Sequence, residues 1–140
     1  MSFDVLGELN WLAVIVATVV YFALGGLWYA PPVFGNVWMR AAGIQMPEGQ
    51  RPGPAIYFTP LIAYLVAVIA TAMLAAATGS DTVSEGIVLG LVVGVGYAVV
   101  GAAVEATFGN RPQPSTWFLI TASYNLLGLV ISAVIVSVWT

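Results

Sequence analysis

Four long apolar segments, separated by short polar ones, restrict this chain to very few kinds of fold. They lie at residues 10–30, 55–78, 86–108 and 115–138. Each is long enough for a membrane-spanning helix, which needs roughly 20 apolar residues. Only 6% of the 140 residues are charged, whereas soluble domains carry charge on about 25% of their positions. The sequence therefore predicts an all-α membrane protein with a single domain, residues 1–140, in which four transmembrane helices form an antiparallel bundle.

The few charged side chains predict the orientation of this bundle. The three basic residues all follow the first or the third segment, and they are Arg40, Arg51 and Arg111. The opposite end of the bundle carries only acidic side chains, namely Asp4, Glu8, Asp81 and Glu85. Because loops rich in Lys and Arg stay in the cytoplasm, we expect the Arg-bearing loops to be cytoplasmic and both termini to lie outside.

The stretch LGGLWYAPPVFGNVWMR, residues 24–40, ends the first helix and then continues with apolar residues. Pro31 and Pro32 cannot donate the next helical hydrogen bonds, so the helix stops there. Beyond them, the apolar residues fall on one face of a short helix, and they are Val33, Phe34, Val37, Trp38 and Ala41. Such a helix lies along a membrane surface without crossing it. We therefore predict an interfacial amphipathic helix at residues 33–44.

Aromatic residues mark the ends of the predicted helices. Trp and Tyr are enriched where a membrane meets water. The residues expected to anchor the bundle at these interfaces are Trp11, Trp28, Tyr29, Trp38, Trp117 and Trp139.

Small residues recur at every fourth position of the third segment. The row consists of Gly86, Gly90, Gly94, Ala98 and Ala102. In lipid, small residues let two helices approach closely, as in glycine zippers. The row therefore predicts a helix-packing face, and the sequence leaves open whether the neighbour belongs to the same chain or to another subunit of a homo-oligomer.

Polar side chains recur at one depth of the bundle. Tyr21, Tyr64 and Tyr124 each lie about nine residues from the inner end of their segments, and Tyr97 lies slightly deeper. At 1.5 Å per residue this depth is roughly 13 Å, where phenolic hydroxyls need hydrogen-bond partners. The candidate polar layer is Tyr21, Tyr64, Tyr97, Thr121, Tyr124 and Asn125. Two interpretations stay open: hydrogen bonds that fix the helices together, or the lining of a solute path.

Glu105 is the one ionisable residue well inside a predicted segment. Intramembrane carboxylates are candidate functional sites. The alternative is an ion pair near the inner end of the helix, with Arg111, Arg40 or Arg51 as the partner.

The chain has no cysteine and no histidine, and it contains no Ser-His pair, second buried carboxylate or phosphate-binding loop. We therefore expect no enzyme, no cofactor and no metal site. The absence of a basic cluster also predicts no nucleic-acid partner.

Two blocks of sequence resemble a family of small bacterial four-helix membrane proteins, known as domain of unknown function 1761. The first block is Leu24-Gly25-Gly26-Leu27-Trp28-Tyr29, a proline, and Phe34-Gly35-x-x-Trp38-Met39; the weaker second block is Phe108, Arg111, Pro112, Phe118-Leu119-Ile120 and Tyr124. The resemblance implies a four-helix fold in the bacterial inner membrane and carries no activity. Relatives often have histidine where this chain has Asn125, so proton chemistry of that histidine is not expected here.

Two hypotheses about function follow. The first is a self-associating helical unit, a homo-oligomer in the lipid bilayer that mediates permeation of small solutes or ions. The second is a structural or accessory subunit that binds another membrane protein as its partner.

Overall fold

The computed structural model describes residues 1–47, 49 and 52–140 of the chain, and every regular element in that part is helical. A short 3-10 helix (Phe3–Gly7) precedes the elements α1 (Trp11–Trp28), a π-helical turn (Pro31–Gly35), α2 (Asn36–Ala42), α3 (Ala55–Thr78), α4 (Val83–Val93), a π-helical segment (Gly94–Val99), α5 (Val100–Phe108) and α6 (Pro114–Val138). Four helices are long and apolar enough to cross a membrane: α1, α3, the continuous helix Val83–Phe108, and α6. This result confirms the four predicted segments, with bounds that differ by no more than three residues.

Local sequence explains where the helices begin. The Asn10 side chain accepts hydrogen bonds from the backbone N–H groups of Leu12 and Ala13, which α1 itself leaves without partners. At the start of α4, the hydroxyl of Thr82 accepts from the N–H of Glu85, and the Glu85 carboxylate accepts from the N–H of Thr82. This reciprocal capping box fixes the tight turn between α3 and α4.

Helix α6 lies at the centre of the fold. It contacts α1, α2, α3, α4 and α5. Its buried residues run along its whole length, from Trp117 to Ser137. Residues of α1 and α6 meet in opposite order, because Asn10 bonds to Trp139 whereas Trp28 bonds to Ile120. The two helices are therefore antiparallel.

The glycine row of α4 packs directly on the backbone of α6. A methyl group added at Gly86 would lie 2.7 Å from the Cα of Val134, and one added at Gly90 would lie 2.5 Å from the Cα of Val130. Gly94 faces Leu126 in the same way. The row continues less tightly, because Ala98 is partly buried and Ala102 is buried. Within this chain, these residues are thus occupied by a helix of the same copy.

The short helix α2 folds against the end of α6, which covers only part of its apolar residues. Ala41 is fully buried, and its carbonyl accepts a hydrogen bond from the N–H of Gln113. In contrast, Val33, Phe34 and Val37 are exposed by 41%, 37% and 37%. The reason is that Trp38 and Ala41 pack on the bundle and thereby turn the remaining apolar residues outward. The position of this helix in a membrane interface stays a prediction.

Candidate functional site

Three tyrosines from three different helices meet inside the bundle. The rings of Tyr21 (α1) and Tyr64 (α3) are stacked, with their centroids 4.1 Å apart and an interplanar angle of 8°. The ring of Tyr124 (α6) stands edge-on to both, at centroid distances of 5.4 Å and 5.9 Å. We call these three residues the tyrosine cluster. Edge-on and offset aromatic pairs add about 0.5–1.5 kcal/mol each beyond the area they bury, so the cluster ties α1, α3 and α6 together.

Two glycines make room for this cluster. A methyl group added at Gly25 would lie 2.6 Å from the phenolic oxygen of Tyr124. One added at Gly128 would lie 2.5 Å from the ring of Tyr21. Each tyrosine therefore occupies a space that a glycine of the facing helix leaves open. A larger residue at either glycine would therefore have to displace a tyrosine ring.

Hydrogen bonds join the cluster to its neighbours on α1 and α6. The hydroxyl of Tyr21 donates to the Asn125 side-chain oxygen at 2.7 Å, and the hydroxyl of Tyr124 donates to the backbone carbonyl of Tyr21 at 2.8 Å. The Asn125 amide nitrogen donates to the Thr121 carbonyl at 2.9 Å. The structure thus brings together five members of the candidate polar layer: Tyr21, Tyr64, Thr121, Tyr124 and Asn125.

Tyr97 does not join the other members of the candidate layer. Its side chain is 75% exposed on the outer surface of the π-helical segment Gly94–Val99. The prediction placed Tyr97 by depth alone, and depth does not specify the direction in which a helical side chain points. Tyr97 lies instead at the rim of a groove between its own helix and α3, beside Ala67 and Leu74.

Three aromatic residues expected at the membrane interface instead extend the tyrosine cluster towards the Arg-bearing end. The indole N–H of Trp28 donates to the Ile120 carbonyl at 3.1 Å, and that of Trp38 donates to the Thr121 hydroxyl at 3.0 Å. The ring of Tyr29 stands edge-on to Trp38 and to Tyr124. Residue order alone does not show that the turn after α1 folds back on α6 and brings these rings inside.

The remaining tryptophans divide into buried and exposed ones. Trp117 is only 4% exposed and packs inside the chain, and its role as an interfacial anchor stays a prediction. Trp11 and Trp139 are exposed by 44% and 40% at the other end of the bundle, as an anchoring role requires. Trp117 packs in a buried cluster with Ala41 and Ala106, and the guanidinium of Arg111 lies over its ring, 3.6 Å from the centroid.

Glu105 forms an ion pair with Arg111. A carboxylate oxygen of Glu105 lies 2.7 Å from Nη2 of Arg111, and Nη1 of the same guanidinium donates to the Glu105 backbone carbonyl at 3.0 Å. The Glu105 side chain is 61% exposed. Of the other suggested partners, Arg40 is exposed and Arg51 lies outside the described residues. This arrangement matches the alternative of an ion pair near the helix end.

The chemistry that these residues can perform is limited by their packing. Tyr21 and Tyr124 are exposed by 2% and 1%, so their hydroxyls are sealed from solvent. Among residues 1–47, 49 and 52–140, no group of three His, Cys, Asp or Glu side chains is close enough to hold a metal ion. The tyrosine cluster and its hydrogen bonds therefore act as an internal connection between helices.

Comparison with known protein families gives a match that covers residues 12–137. No curated protein and no solved structure matches the chain. The matched range includes all four membrane-spanning helices nearly in full, the tyrosine cluster and the ion pair. This chain belongs to the family described as protein of unknown function (DUF1761).

Proposed function

We propose that this chain is a self-associating helical unit of the membrane, in which any small solute or ion crosses between copies and not through the bundle of one copy. The filled interior of the bundle supports a path between copies. Tyr21 and Tyr124 occupy the space between α1 and α6, and their hydroxyls are bonded within the chain. A path through one bundle would have to break these contacts.

The observation that carries self-association is the position of Tyr97. It lies eleven residues before Phe108, the end of its membrane-spanning helix, which corresponds to a depth of roughly 17 Å. Its side chain is 75% exposed at the rim of the groove between its helix and α3, and its hydroxyl has no hydrogen-bond partner within the described residues. A hydroxyl left without a partner in an apolar medium costs about 1–3 kcal/mol. A neighbouring helix that pairs with this hydroxyl removes that cost.

The surface around Tyr97 suits a second copy of the same chain. A methyl group added at Gly96 or at Gly101 would meet nothing within 4 Å, so the backbone is open to close approach on this side. A tyrosine hydroxyl is both a donor and an acceptor. Two copies related by a twofold axis therefore place the same patch on both partners, and each Tyr97 can satisfy the other.

The first experiment measures the mass of the purified protein in a mild detergent. We expect a dimer or larger assembly of this chain alone. Because interhelical hydrogen bonds in membranes average about 0.6 kcal/mol, Tyr97→Phe should weaken the self-association constant by roughly threefold. Gly101→Leu should weaken it much more, since a leucine blocks backbone approach. Val66→Leu, on the exposed side of α3, is the matched control and should have no effect. A monomer with all four sequences would contradict the proposal.

The second experiment tests permeation in liposomes that contain the purified protein. We expect flux of small ions or solutes above that of empty vesicles, and Gly101→Leu should abolish it because the copies separate. Asn125→Leu changes the bundle interior and should leave the flux nearly intact if solutes cross between copies. Flux that depends on Asn125 but not on Gly101 would favour a path through the bundle.

A structural or accessory role is the second candidate, and the exposed residues Val33, Phe34 and Val37 beside α2 support it. They form an apolar surface near the Arg-bearing end that another membrane protein could cover. The same mild extraction distinguishes the two roles. A different protein recovered in fixed ratio with this chain, and lost in Phe34→Ser, would support the accessory role.

A further inference from the structure

A cavity of about 340 Å³ opens at the end of the bundle that carries only acidic side chains. It lies between the start of α1 and the ends of α3 and α6. Small side chains create it, because alanines occupy the facing positions Ala13 on α1 and Ala72, Ala75 and Ala76 on α3. Val136 of α6 completes this apolar floor. The volume is at the lower end of the range for small-molecule sites, about 300–1,000 Å³.

Two carboxylates line the same cavity. Glu8 comes from the segment before α1, and Asp81 comes from the turn between α3 and α4. Among the described residues, neither carboxylate pairs with a basic side chain, since Arg111 pairs with Glu105 at the opposite end. A cavity lined by one sign of charge with apolar walls concentrates the field and attracts ions of the opposite sign.

The wall of the cavity is held in place by Asn10. Its side-chain oxygen caps α1, and its amide nitrogen donates to the Trp139 carbonyl at the end of α6, at 3.1 Å. This bond joins the two helices at the level of the cavity. A site whose walls are fixed before binding loses less entropy when a ligand enters.

We propose that this cavity binds a small organic cation, an ammonium group attached to a short apolar body. The ammonium would lie between Glu8 and Asp81, and the apolar body would rest on the alanines. A bare metal ion is a poorer fit. The described residues contain no group of three potential ligands, and an apolar floor adds nothing to metal binding.

Such an ammonium group could come from two sources: a free amine in the aqueous phase, or the headgroup of an aminophospholipid in the surrounding bilayer. The recognition chemistry is the same for both. The cavity lies near the membrane surface, since Asn10 and Trp139 flank the ends of α1 and α6.

The test uses 2-phenylethylammonium as the probe and 2-phenylethanol as its neutral counterpart, with the purified protein in nanodiscs and calorimetry as the readout. Hydrogen bonds to charged groups contribute more than neutral ones, so we expect the cation to bind roughly tenfold more tightly than the alcohol. Glu8→Gln and Asp81→Asn should each weaken binding of the cation by about fivefold to tenfold. Asp4→Asn removes a charge from the same end without lining the cavity, and it should change the dissociation constant less than twofold, by the screening of exposed charges.

The lipid composition of the nanodiscs distinguishes a free amine from a lipid headgroup as the source of the ammonium group. Nanodiscs with an equal share of phosphatidylglycerol are made either with phosphatidylethanolamine or with an uncharged galactolipid. If the probe binds more weakly in the phosphatidylethanolamine discs, and this difference between discs disappears in Asp81→Asn, the cavity binds the lipid headgroup. Equal binding in both discs assigns it to a free amine.

Two results would overturn the proposal. The first is equal affinity for the cation and the alcohol in the unchanged protein. The second is an equal loss of affinity in Asp4→Asn and in the two cavity variants, since that would show general surface attraction. The three substituted side chains, Asp4, Glu8 and Asp81, are exposed, so these variants are expected to fold.

Discussion

Tyr21 and Tyr124 are placed reciprocally on two antiparallel helices. Each ring covers the glycine that lies four residues after the other tyrosine: Tyr21 covers Gly128, and Tyr124 covers Gly25. The short pattern Tyr-x-x-Leu-Gly, which occurs in both helices, therefore has one geometric meaning. Antiparallel packing brings the tyrosine of the pattern in each helix to the glycine of the pattern in the other helix.

Gly25→Ala should destabilise the protein, because the new methyl group would lie 2.6 Å from the phenolic oxygen of Tyr124. Overpacking of this kind costs about 1–3 kcal/mol. Gly26→Ala is the matched control in the next position, where an added methyl group meets nothing within 4 Å. In a helix, alanine is favoured over glycine by about 0.5–1 kcal/mol. We expect thermal unfolding in detergent to show a lower transition for Gly25→Ala and an unchanged or higher one for Gly26→Ala. The opposite order would contradict the packing described here.

Gly90→Ala should be at least as damaging as Gly25→Ala. Its methyl group would lie 2.5 Å from the Cα of Val130, and a backbone atom cannot rotate away as a side chain can. We expect a loss near the upper end of the range of about 1–3 kcal/mol, measured by unfolding in a denaturing detergent. Gly26→Ala, at an open position of α1 away from α4, should unfold at least as late as the unchanged protein. If both variants behave alike, α4 does not pack on α6 in this way.

The hydrogen bond between Tyr21 and Asn125 should contribute a modest coupling. Interhelical hydrogen bonds in membranes average about 0.6 kcal/mol. A double-mutant cycle with Tyr21→Phe and Asn125→Leu should return roughly that value as the interaction free energy of unfolding. Tyr57→Phe is the control for removing a hydroxyl, since Tyr57 is 58% exposed and not part of the cluster. A cycle that pairs Tyr57→Phe with Asn125→Leu should give no coupling.

Arg111 should contribute more to stability than its ion-pair partner. Because Glu105 is 61% exposed, its ion pair is worth about 0–1 kcal/mol and is screened by salt. Arg111 also stacks on Trp117, and a cation over an aromatic ring contributes about 0.5–2 kcal/mol. We expect Arg111→Gln to lower the unfolding temperature more than Glu105→Gln does. Near 1 M salt, only the effect of Arg111→Gln should remain.

Several features of this protein could be predicted from the order of residues alone. The four spans follow from uncharged apolar length, because in lipid the backbone must satisfy its own hydrogen bonds and a helix does so locally. The end of α1 before Pro31 follows from the missing backbone N–H of proline. The recurrence of glycine at every fourth position, Gly86, Gly90 and Gly94, predicts a packing face, since helical periodicity alone places these residues in one row. The common depth of Tyr21, Tyr64 and Tyr124 was also visible as a distance along each helix.

Only the tertiary structure decided in which direction each side chain points and which helix it packs against. Tyr97 lies near the depth of the cluster, yet its side chain is 75% exposed at the rim of a groove between its own helix and α3. Trp28, Trp38 and Trp117 resemble surface anchors in sequence, yet they pack against α6 or under Arg111. The sequence also left open which helix the glycine row packs against, and the structure shows that this helix is α6. The physical reason is that helix formation depends on local bonds, whereas the rotation of each helix about its axis depends on how all the facing side chains fit together.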